Sequence, residues 1–206
     1  MQYLIDRWEM PRPQPNLTAI AVRPLQPDDV ELVAAMHERL SPESIYSRYL
    51  QHRPPGSAEI AALGRLDPAS GAGFVATAQQ RTEIVVGLAH YVREAKAELP
   101  IAEAGILVED QFQGQGVGRI LWQRLQQHAQ AHQIHQLRVL LHPHNLRMQR
   151  LVQGGGLPYT ARAQDGLYEY LVTLEPGLYS LPSDATSAPP AFVGTGRSLR
   201  SRFIWC

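Results

Sequence analysis

The sequence predicts an α/β (α+β) protein with a mixed central sheet of about six to seven strands, flanked by about four helices. Two observations predict this class. Apolar segments are joined in pairs by polar turns at residues 74–93 and 157–174, as in antiparallel hairpins. A strand, a glycine-rich loop, a helix and a second strand follow one another over residues 105–141, a crossover that joins parallel neighbours. A sheet with both connections is mixed.

One domain is predicted at residues 17–174, between an arm and a tail. Residues 1–16 are polar and spaced by Pro11, Pro13 and Pro15, which cannot pair in a central strand, so they should form a surface arm. After residue 174 the composition shifts to Pro, Ser, Gly and Ala, which is typical of a poorly ordered or surface-draped tail. The tail ends in GRSLRSRFIWC, which could dock on a partner or on the core, or stay disordered.

The first strand and helix follow the arm. Residues 18–25 alternate between two sets of side chains and end at prolines, which predicts a strand. Asp28 or Asp29 then caps a helix predicted at residues 30–40.

The next segment predicts two further helices and a turn. Ser41 as N-cap and Pro42 in the first helical position begin the second helix. A short helix is predicted at residues 57–65, and Gly71 with Gly73 should form the turn after it.

A hairpin precedes the central strand. Its strands are predicted at residues 74–79 and 84–93, joined by residues 80–83. A loop over residues 94–100 then leads to the apolar strand at residues 105–108.

The stretch over residues 102–122 carries the strongest functional signal. Its strand leads into Gln113-Gly114-Gln115-Gly116-Val117-Gly118 and then into a helix. The first N–H groups of a helix lack partners inside it, and glycines let a phosphate approach them closely. A P-loop would need a lysine after these glycines, and a Rossmann loop needs the spacing G-x-G-x-x-G near the start of the fold. Both alternatives fail on the residues present.

The remaining elements complete the sheet. The long helix should bury a stripe of Val117, Ile120, Leu121 and Leu125. A strand at residues 137–141 should lie parallel to residues 105–108, followed by a helix at residues 145–152 that Gly154-Gly155-Gly156 ends. Strands at residues 157–161 and 167–174 should form a hairpin around Gln164-Asp165-Gly166.

Composition excludes several classes of protein. The chain of 206 residues carries 19 basic and 19 acidic residues, so no strong field points to nucleic acid or an anionic membrane. Lys96 is the only lysine, and Cys206, the single cysteine, excludes an intramolecular disulfide framework. No apolar run is long enough to cross a bilayer, and no signal-peptide core is present. A cytoplasmic protein is therefore expected.

The glycine loop also carries a family resemblance. Gln113, Gly116 and Gly118 form Gln-x-x-Gly-x-Gly, which resembles the pyrophosphate loop of the GNAT family of acetyl-CoA-dependent N-acetyltransferases. The resemblance implies a GNAT fold, with a splayed parallel strand pair at the cofactor site, and acetyl-CoA as cofactor. A glycine-rich turn without a ligand is the alternative. The resemblance implies these cofactor-binding residues: Leu107, Val108, Gln113, Gly114, Gln115, Gly116, Val117, Gly118, Arg119 and Asn145.

A second block supports the resemblance but departs from it. The run Asn145-x-x-Met-x-x-Leu-x-x-Gly resembles the later GNAT motif that flanks the cofactor. Many family members carry a tyrosine one position after the leucine, as general acid toward the departing thiolate, and Val152 stands there instead. Leu157 also follows Gly156, where phenylalanine is common. The usual proton donor is therefore in doubt.

A third segment points to the acceptor side of the site. LSPESIYSRYL, at residues 40–50, resembles the early helices of bacterial protein-lysine acetyltransferases, which in that family form one wall of the acceptor cleft. Tyr46 and Tyr49 are accordingly candidate cleft residues. As tyrosines on an amphipathic helix they are more often core or wall residues than catalytic ones.

Glu103 is the candidate general base. An amine has a pKa near 10.4, so on the order of one molecule in a thousand is neutral at pH 7, and acyl transfer needs a group that removes the proton. Glu103 should share a strand face with Gly105 and Leu107, and the missing side chain of Gly105 leaves room beside it. Matching GNAT sequences often carry a glutamate here. Alternatively, Glu103 only solvates a strand end or pairs with an arginine.

The histidines do not predict a metal site. His128 and His132 stand four apart on the long helix, but they lack the neighbouring glutamate of a zincin and any nearby cysteine. His142 or His144, at the end of a parallel strand, could instead line the cleft and carry a proton.

Two functions remain on the sequence. The first is an acetyl-CoA-dependent N-acetyltransferase that acts on a primary amine, either a protein lysine or a small amine, by direct attack. The second is a catalytically silent acyl-CoA-binding sensor, which the missing tyrosine keeps open. The expected partners are acetyl-CoA and the amine acceptor, with neither nucleic acid nor membrane, and the protein is expected to be a monomer or a homodimer.

Overall fold

A computed structural model describes residues 19–95 and 99–174. The predicted arm at residues 1–16, the tail at residues 175–206 and Lys96 lie outside the described residues. The strands are β1 Ile20–Pro24, β2 Gly71–Gln79, β3 Glu83–Arg93, β4 Ile101–Val108, β5 Gln136–Leu141, β6 Tyr159–Gln164 and β7 Leu167–Thr173. The helices are α1 Val30–Glu38, α2 Pro42–Tyr49, α3 Ser57–Leu63, α4 Val117–Ala131 and α5 Leu146–Gln153, with 3-10 turns at Pro27–Asp29 and Asp110–Phe112.

The strands form one mixed sheet of seven, in the order β1-β2-β3-β4-β5-β7-β6. Only the β4–β5 pair is parallel within the part of the chain that the structure describes. The α/β class and the mixed sheet are therefore confirmed, with five described α-helices where about four were expected.

Each face of the sheet carries its own core. On one face α4 and α5 cover the sheet, with Trp122 and Tyr91 among the largest buried side chains. On the other face α1, α2 and α3 pack through residues such as Met36 and Tyr49. Because successive strand residues point to opposite faces, each strand feeds both cores.

Two helix starts follow from their capping residues. The Ser41 side chain accepts the N–H of Ser44 at 3.2 Å, which confirms Ser41 as the N-cap of α2. Asp29 precedes α1 as predicted, but its carboxylate makes no cap bond and instead binds Arg23 at 2.7 Å.

Two sequence predictions about this framework are wrong. Gly71 and Gly73 do not form a turn but lie in β2, where a side chain at residue 71 would meet the β3 backbone and one at residue 73 would meet Leu25. Glycine serves close packing there. Ile120 is 47% exposed, and Trp122 takes its place in the buried stripe of α4.

The parallel pair opens toward the glycine loop. Residues 101–103 of β4 pair with residues 136–138 of β5, and the pairing ends at Glu103 and Arg138. Residues 105–108, which the sequence predicted to lie beside residues 137–141, continue outside that pairing. The strands are parallel neighbours as predicted, and the splay begins one residue pair beyond Glu103.

Candidate active site

The glycine loop joins the end of β4 to the start of α4. Gly114 and Gly116 have φ values of +75° and +87°, a region that favours glycine. No atom lies within 4 Å of where a Cβ would stand at either residue, so the backbone there faces open space. Gly116 is the N-cap of α4 and supplies no side-chain cap bond. The first N–H groups of α4 are thus left for a ligand.

The loop fits an anionic group such as a pyrophosphate. The first turn of α4 holds no acidic residue, and exposed Arg119 adds a positive charge. The partial positive charge of the helix N-terminus favours the same ligand. Val117, which is buried, can offer only its backbone, and a Cβ at residue 118 would make ordinary contacts with Val108 and Leu151. Gln115 bonds the Gln111 carbonyl at 2.7 Å.

Gln113 and Asp110 brace this loop against the start of α2. The Gln113 amide donates to the Val108 carbonyl at 2.8 Å and to the Ser44 hydroxyl at 3.2 Å. Asp110 accepts the Ser41 N–H at 2.8 Å and the Ser44 hydroxyl at 2.7 Å. Burial opposes ionisation of Asp110, but these hydrogen bonds outweigh it and hold the pKa of Asp110 below its usual range. The Gln113 side chain is therefore a structural link within the loop.

Leu107 and Asn145 lie on the two sides of the splay. The Leu107 side chain is buried in the core under α1–α3, so only its backbone is free to face a ligand. The Asn145 side chain caps α5 by accepting the N–H of Met148 at 3.1 Å. Its amide nitrogen lies 3.5 Å from the Ser47 carbonyl and so approaches α2. Direct contact of either residue with the cofactor stays a prediction.

Glu103 lies in a small pocket at the apex of the splay. The pocket is lined by His90, Val92, Arg93, Glu94 and Glu103. Burial raises the pKa of the Glu103 carboxyl, with nearby Glu94 adding to the shift and Arg48 and Arg138 opposing it. A partly buried carboxylate with a raised pKa has the properties of a general base. Its role as a base stays a prediction.

Sequence reasoning missed Arg48. The sequence predicted open space over Gly105, beside Glu103, and the Arg48 guanidinium occupies it. A Cβ at residue 105 would overlap Nη2 and Cζ of Arg48. Nη2 lies 3.1 Å from Nε2 of His90, which pairs with Gly105 across the β3–β4 ladder. Burial and the positive charge of Arg48 set the pKa of His90 well below its usual value. The available signal was a glycine inside a strand, which marks a close approach.

The two candidate tyrosines of α2 have different surroundings. Tyr46 is half-buried, stacks on His52 at 5.0 Å and meets His142 edge-on at 5.8 Å. The structure thus brings Tyr46 and His142 together across the splay, as a cleft requires. Tyr49 is 5% exposed and its hydroxyl lies 2.6 Å from His37 Nε2. Tyr49 is a core residue and does not line the cleft, because its side chain points away into the packing under α1.

The backbone of His144 sets the tautomer of His142. Its Nδ1 accepts the backbone N–H of His144 at 3.2 Å, so the neutral ring holds its proton on Nε2. Burial and the neighbouring His144 lower the pKa of His142. Val152, at the position of the family's usual tyrosine, is 1% exposed and packs in the core.

The α4 histidines lie on the far side of the sheet from Glu103. His128 Nδ1 lies 2.9 Å from the Tyr91 hydroxyl, and the His128 and His132 rings stack at 4.1 Å. Among residues 19–95 and 99–174, no group of three or more potential metal ligands occurs. Nor does any helix in those ranges combine the length and the apolar character that a membrane span requires.

Comparison with known proteins gives one family. A family model described as an acetyltransferase (GNAT) domain matches residues 20–157. Among solved structures, the GNAT domain of S. lividans PAT is 25% identical with a TM-score of 0.64, over 73% of this chain and 88% of that chain. No curated protein matches the chain in sequence.

Two further structures share the fold and contain acetyl-CoA. Salmonella typhimurium yncA, solved with its cofactor acetyl-CoA, is 17% identical with a TM-score of 0.63, over 78% of this chain and 97% of that chain. Arabidopsis thaliana NAA60, in complex with acetyl-CoA, is 14% identical with a TM-score of 0.56, over 75% of this chain and 97% of that chain.

Proposed function

The chain belongs to the GNAT acetyltransferase family, and from that premise we propose that it acetylates a primary amine by direct attack. As a member of the family it is an acyltransferase, and acetyl-CoA is its cofactor. The acceptor is proposed to be either a small amine or a protein lysine. The observation that carries the proposal is Glu103, partly buried with a raised pKa where β4 and β5 part.

The glycine loop would hold the cofactor by its phosphates. Bound acetyl-CoA supplies an acetyl thioester, and transfer forms a C–N bond to the amine while the C–S bond breaks to release CoA. The backbone N–H groups of residues 114–118 would bind the pyrophosphate, with Arg119 adding charge. The backbone amide of Val108 would hold the thioester carbonyl.

Glu103 would take the proton that the amine must lose. Its raised pKa makes the carboxylate a stronger base than an ordinary glutamate. Arg48 and Arg138 limit the shift. His142, with its proton on Nε2 and Tyr46 against its ring, would supply a proton toward the departing thiolate in place of the missing tyrosine.

The test is release of CoA thiol from acetyl-CoA with a panel of amines, amino acids, polyamines and lysine peptides. Glu103→Gln should lower kcat by roughly 10²–10⁴-fold, the usual contribution of a general base, and leave CoA affinity unchanged. Because the pKa of Glu103 is raised, activity of the wild type should fall on acidification at a higher pH than an ordinary glutamate would give. That acidic limb should disappear in Glu103→Gln. Equal kinetics for the two proteins would remove Glu103 as base.

A catalytically silent acyl-CoA sensor is the second candidate. Val152 favours it, since a buried valine cannot donate the proton that many family members supply there. Calorimetric binding of CoA with no thiol release from any amine would establish the sensor. Turnover with any acceptor would exclude it.

A further inference from the structure

The Arg48 guanidinium fills a space that the missing side chain of Gly105 leaves, near Glu103. Glycine is the only residue type at position 105 that leaves space for the guanidinium, because the three atoms nearest to a Cβ there all belong to Arg48. The Arg48 Cζ also lies 5.0 Å from the centre of the Tyr49 ring, which supports it from below. The cation is therefore fixed over β4, two residues from Glu103.

Among the described residues, no carboxylate is paired with the Arg48 guanidinium. Within residues 19–95 and 99–174, no carboxylate oxygen lies within 4.0 Å of the Arg48 guanidinium, and only Nη2 makes a hydrogen bond, to His90. The Arg39 and Arg138 side chains, 32% and 27% exposed, are by contrast paired with Glu109 and Glu94. A partly buried guanidinium with free donors lacks the anion that normally accompanies it.

The chemistry of the missing partner follows from the position of Arg48. Alternate residues on one strand face are about 6.6 Å apart, so Gly105 and Glu103 present a cation and a base side by side. An amine beside Glu103 could place a carboxylate on the Arg48 guanidinium only if a few bonds separate the two groups. A free amino acid has this spacing of amine and carboxylate.

We propose that Arg48 binds the carboxylate of the acceptor, and that the acceptor is a small amine of the amino-acid class. The inference rests on the proposed amine acetylation and adds the substrate class to it. The neutral His90 ring accepts one N–H of Nη2, and the second N–H of Nη2 can form, together with Nε or with Nη1, the bidentate pair that arginine makes with a carboxylate.

The test uses matched acceptors that differ only in the carboxylate. We measure kcat/KM for the L-amino acids and for the amide of each, with acetyl-CoA and the full chain. A hydrogen bond to a charged group is worth about 1.5–3 kcal/mol, so the wild type should prefer the acid over the amide by roughly 10- to 100-fold. Arg48→Gln should lower that ratio by the same factor, and because the ratio is taken within each protein, an effect of the lost charge on Glu103 acts on both acceptors and cancels.

A second variant keeps the charge and moves it. Gly105→Ala meets only the flexible end of Arg48, so the strand should fold while the guanidinium is displaced. It should erase the acid preference as Arg48→Gln does. Arg124→Gln, an exposed arginine on α4, removes one positive charge elsewhere and should keep the full preference.

The outcomes distinguish failure of the Arg48 carboxylate site from failure of the proposed amine acetylation. If acids and amides are acetylated equally by the wild type, or if the acid preference survives Arg48→Gln, the carboxylate site is overturned and amine acetylation stands. If Arg48→Gln lowers kcat alike for both acceptors and leaves the acid preference unchanged, Arg48 acts only on the shared chemistry and the proposal is wrong. Acetylation only of lysine peptides with acidic neighbours would overturn the small-molecule acceptor. Absence of thiol release from every amine would overturn both proposals.

Discussion

A backbone carbonyl and two side chains, linked by hydrogen bonds, support Arg48 from beneath. The Val33 carbonyl lies 2.7 Å from His37 Nδ1, so that nitrogen carries the proton and His37 Nε2 accepts from the Tyr49 hydroxyl at 2.6 Å. Burial lowers the pKa of His37, which keeps the ring neutral. The Tyr49 ring is thereby held in place below the guanidinium. A residue expected at the cleft thus acts on it through its neighbour.

Tyr49→Phe should destabilise the fold. The change removes the hydroxyl and leaves His37 Nε2 buried without a donor, which should cost about 1–3 kcal/mol in the free energy of unfolding. Urea unfolding at pH 7 measures this. Tyr46→Phe is the matched control, because the Tyr46 hydroxyl makes no hydrogen bond among the described residues, and it should change stability by less than about 0.5 kcal/mol. Equal stability of Tyr49→Phe and the wild type would contradict the assignment.

At this scale the sequence predicted a candidate base, Glu103, but not its surroundings. Glu103 could be singled out because a carboxylate on a strand beside a glycine is visible in the residue order. Arg48 lies 55 positions away on another element, and nothing in its own spacing indicates that it fills the space over Gly105. Long-range packing decides such a contact.

At the scale of elements, the glycine loop and helix α2 are joined by hydrogen bonds. Asp110, in the turn after β4, accepts bonds from Ser41 and Ser44 at the start of α2, and Gln113 adds a bond to Ser44. The N-cap of α2 is therefore held by the same turn that leads into the glycine loop. Movement of either element should affect the other.

Asp110→Ala should loosen this junction. The loss of the Ser41 and Ser44 bonds should cost about 1–3 kcal/mol at pH 7 and weaken CoA binding. The folded-state pKa of Asp110 is depressed, so its contribution is present above the unfolded pKa of about 3.9 and is lost as pH falls through the folded pKa. The stability difference from the wild type should therefore shrink toward pH 3. Glu38→Ala, which removes an exposed carboxylate on α1, should leave stability and CoA affinity unchanged at every pH.

The glycine loop makes a separate prediction about the cofactor. Gly116→Ala puts a side chain at φ +87°, which should cost roughly 1–2 kcal/mol of stability through backbone strain. Its Cβ meets no protein atom, so a further loss of CoA affinity of about tenfold or more should come from the ligand itself. Gly166→Ala, at φ +82° in the β6–β7 turn and equally open, carries the same strain away from the site. Calorimetry should show weaker CoA binding only in the first variant, and a parallel loss in both would contradict the phosphate role.

At the scale of the whole molecule, the sheet separates two tasks. The core under α4 and α5 fixes the crossover that presents the glycine loop, while the core under α1–α3 fixes Arg48, Tyr46 and the pocket of Glu103. The opening between β4 and β5 lies where these halves meet. On the proposed function, the cofactor would approach this opening from the α4–α5 face of the sheet and the acceptor from the α1–α3 face.

Residues 17–174 are predicted to be sufficient for this architecture. A protein limited to those residues should unfold in one cooperative transition and bind CoA with an affinity within about twofold of the full chain, because both cores lie within the described part of that range. Thermal unfolding and calorimetry of the two proteins measure this. Loss of CoA binding on truncation would show that the arm or the tail completes the site.

The sequence by itself determined the elements, the mixed sheet and the glycine loop, because hydrophobic period, capping residues and glycine spacing act over a few neighbouring positions. The sequence predictions for Gly71, Gly73 and Ile120 were wrong, because neighbours across the sheet or beside α4 determine the packing of those residues. Only the tertiary structure decided that Tyr49 is a core residue and that Arg48 lies over Gly105. Those contacts join residues far apart in the chain, and their free energy depends on the packing of two elements at once.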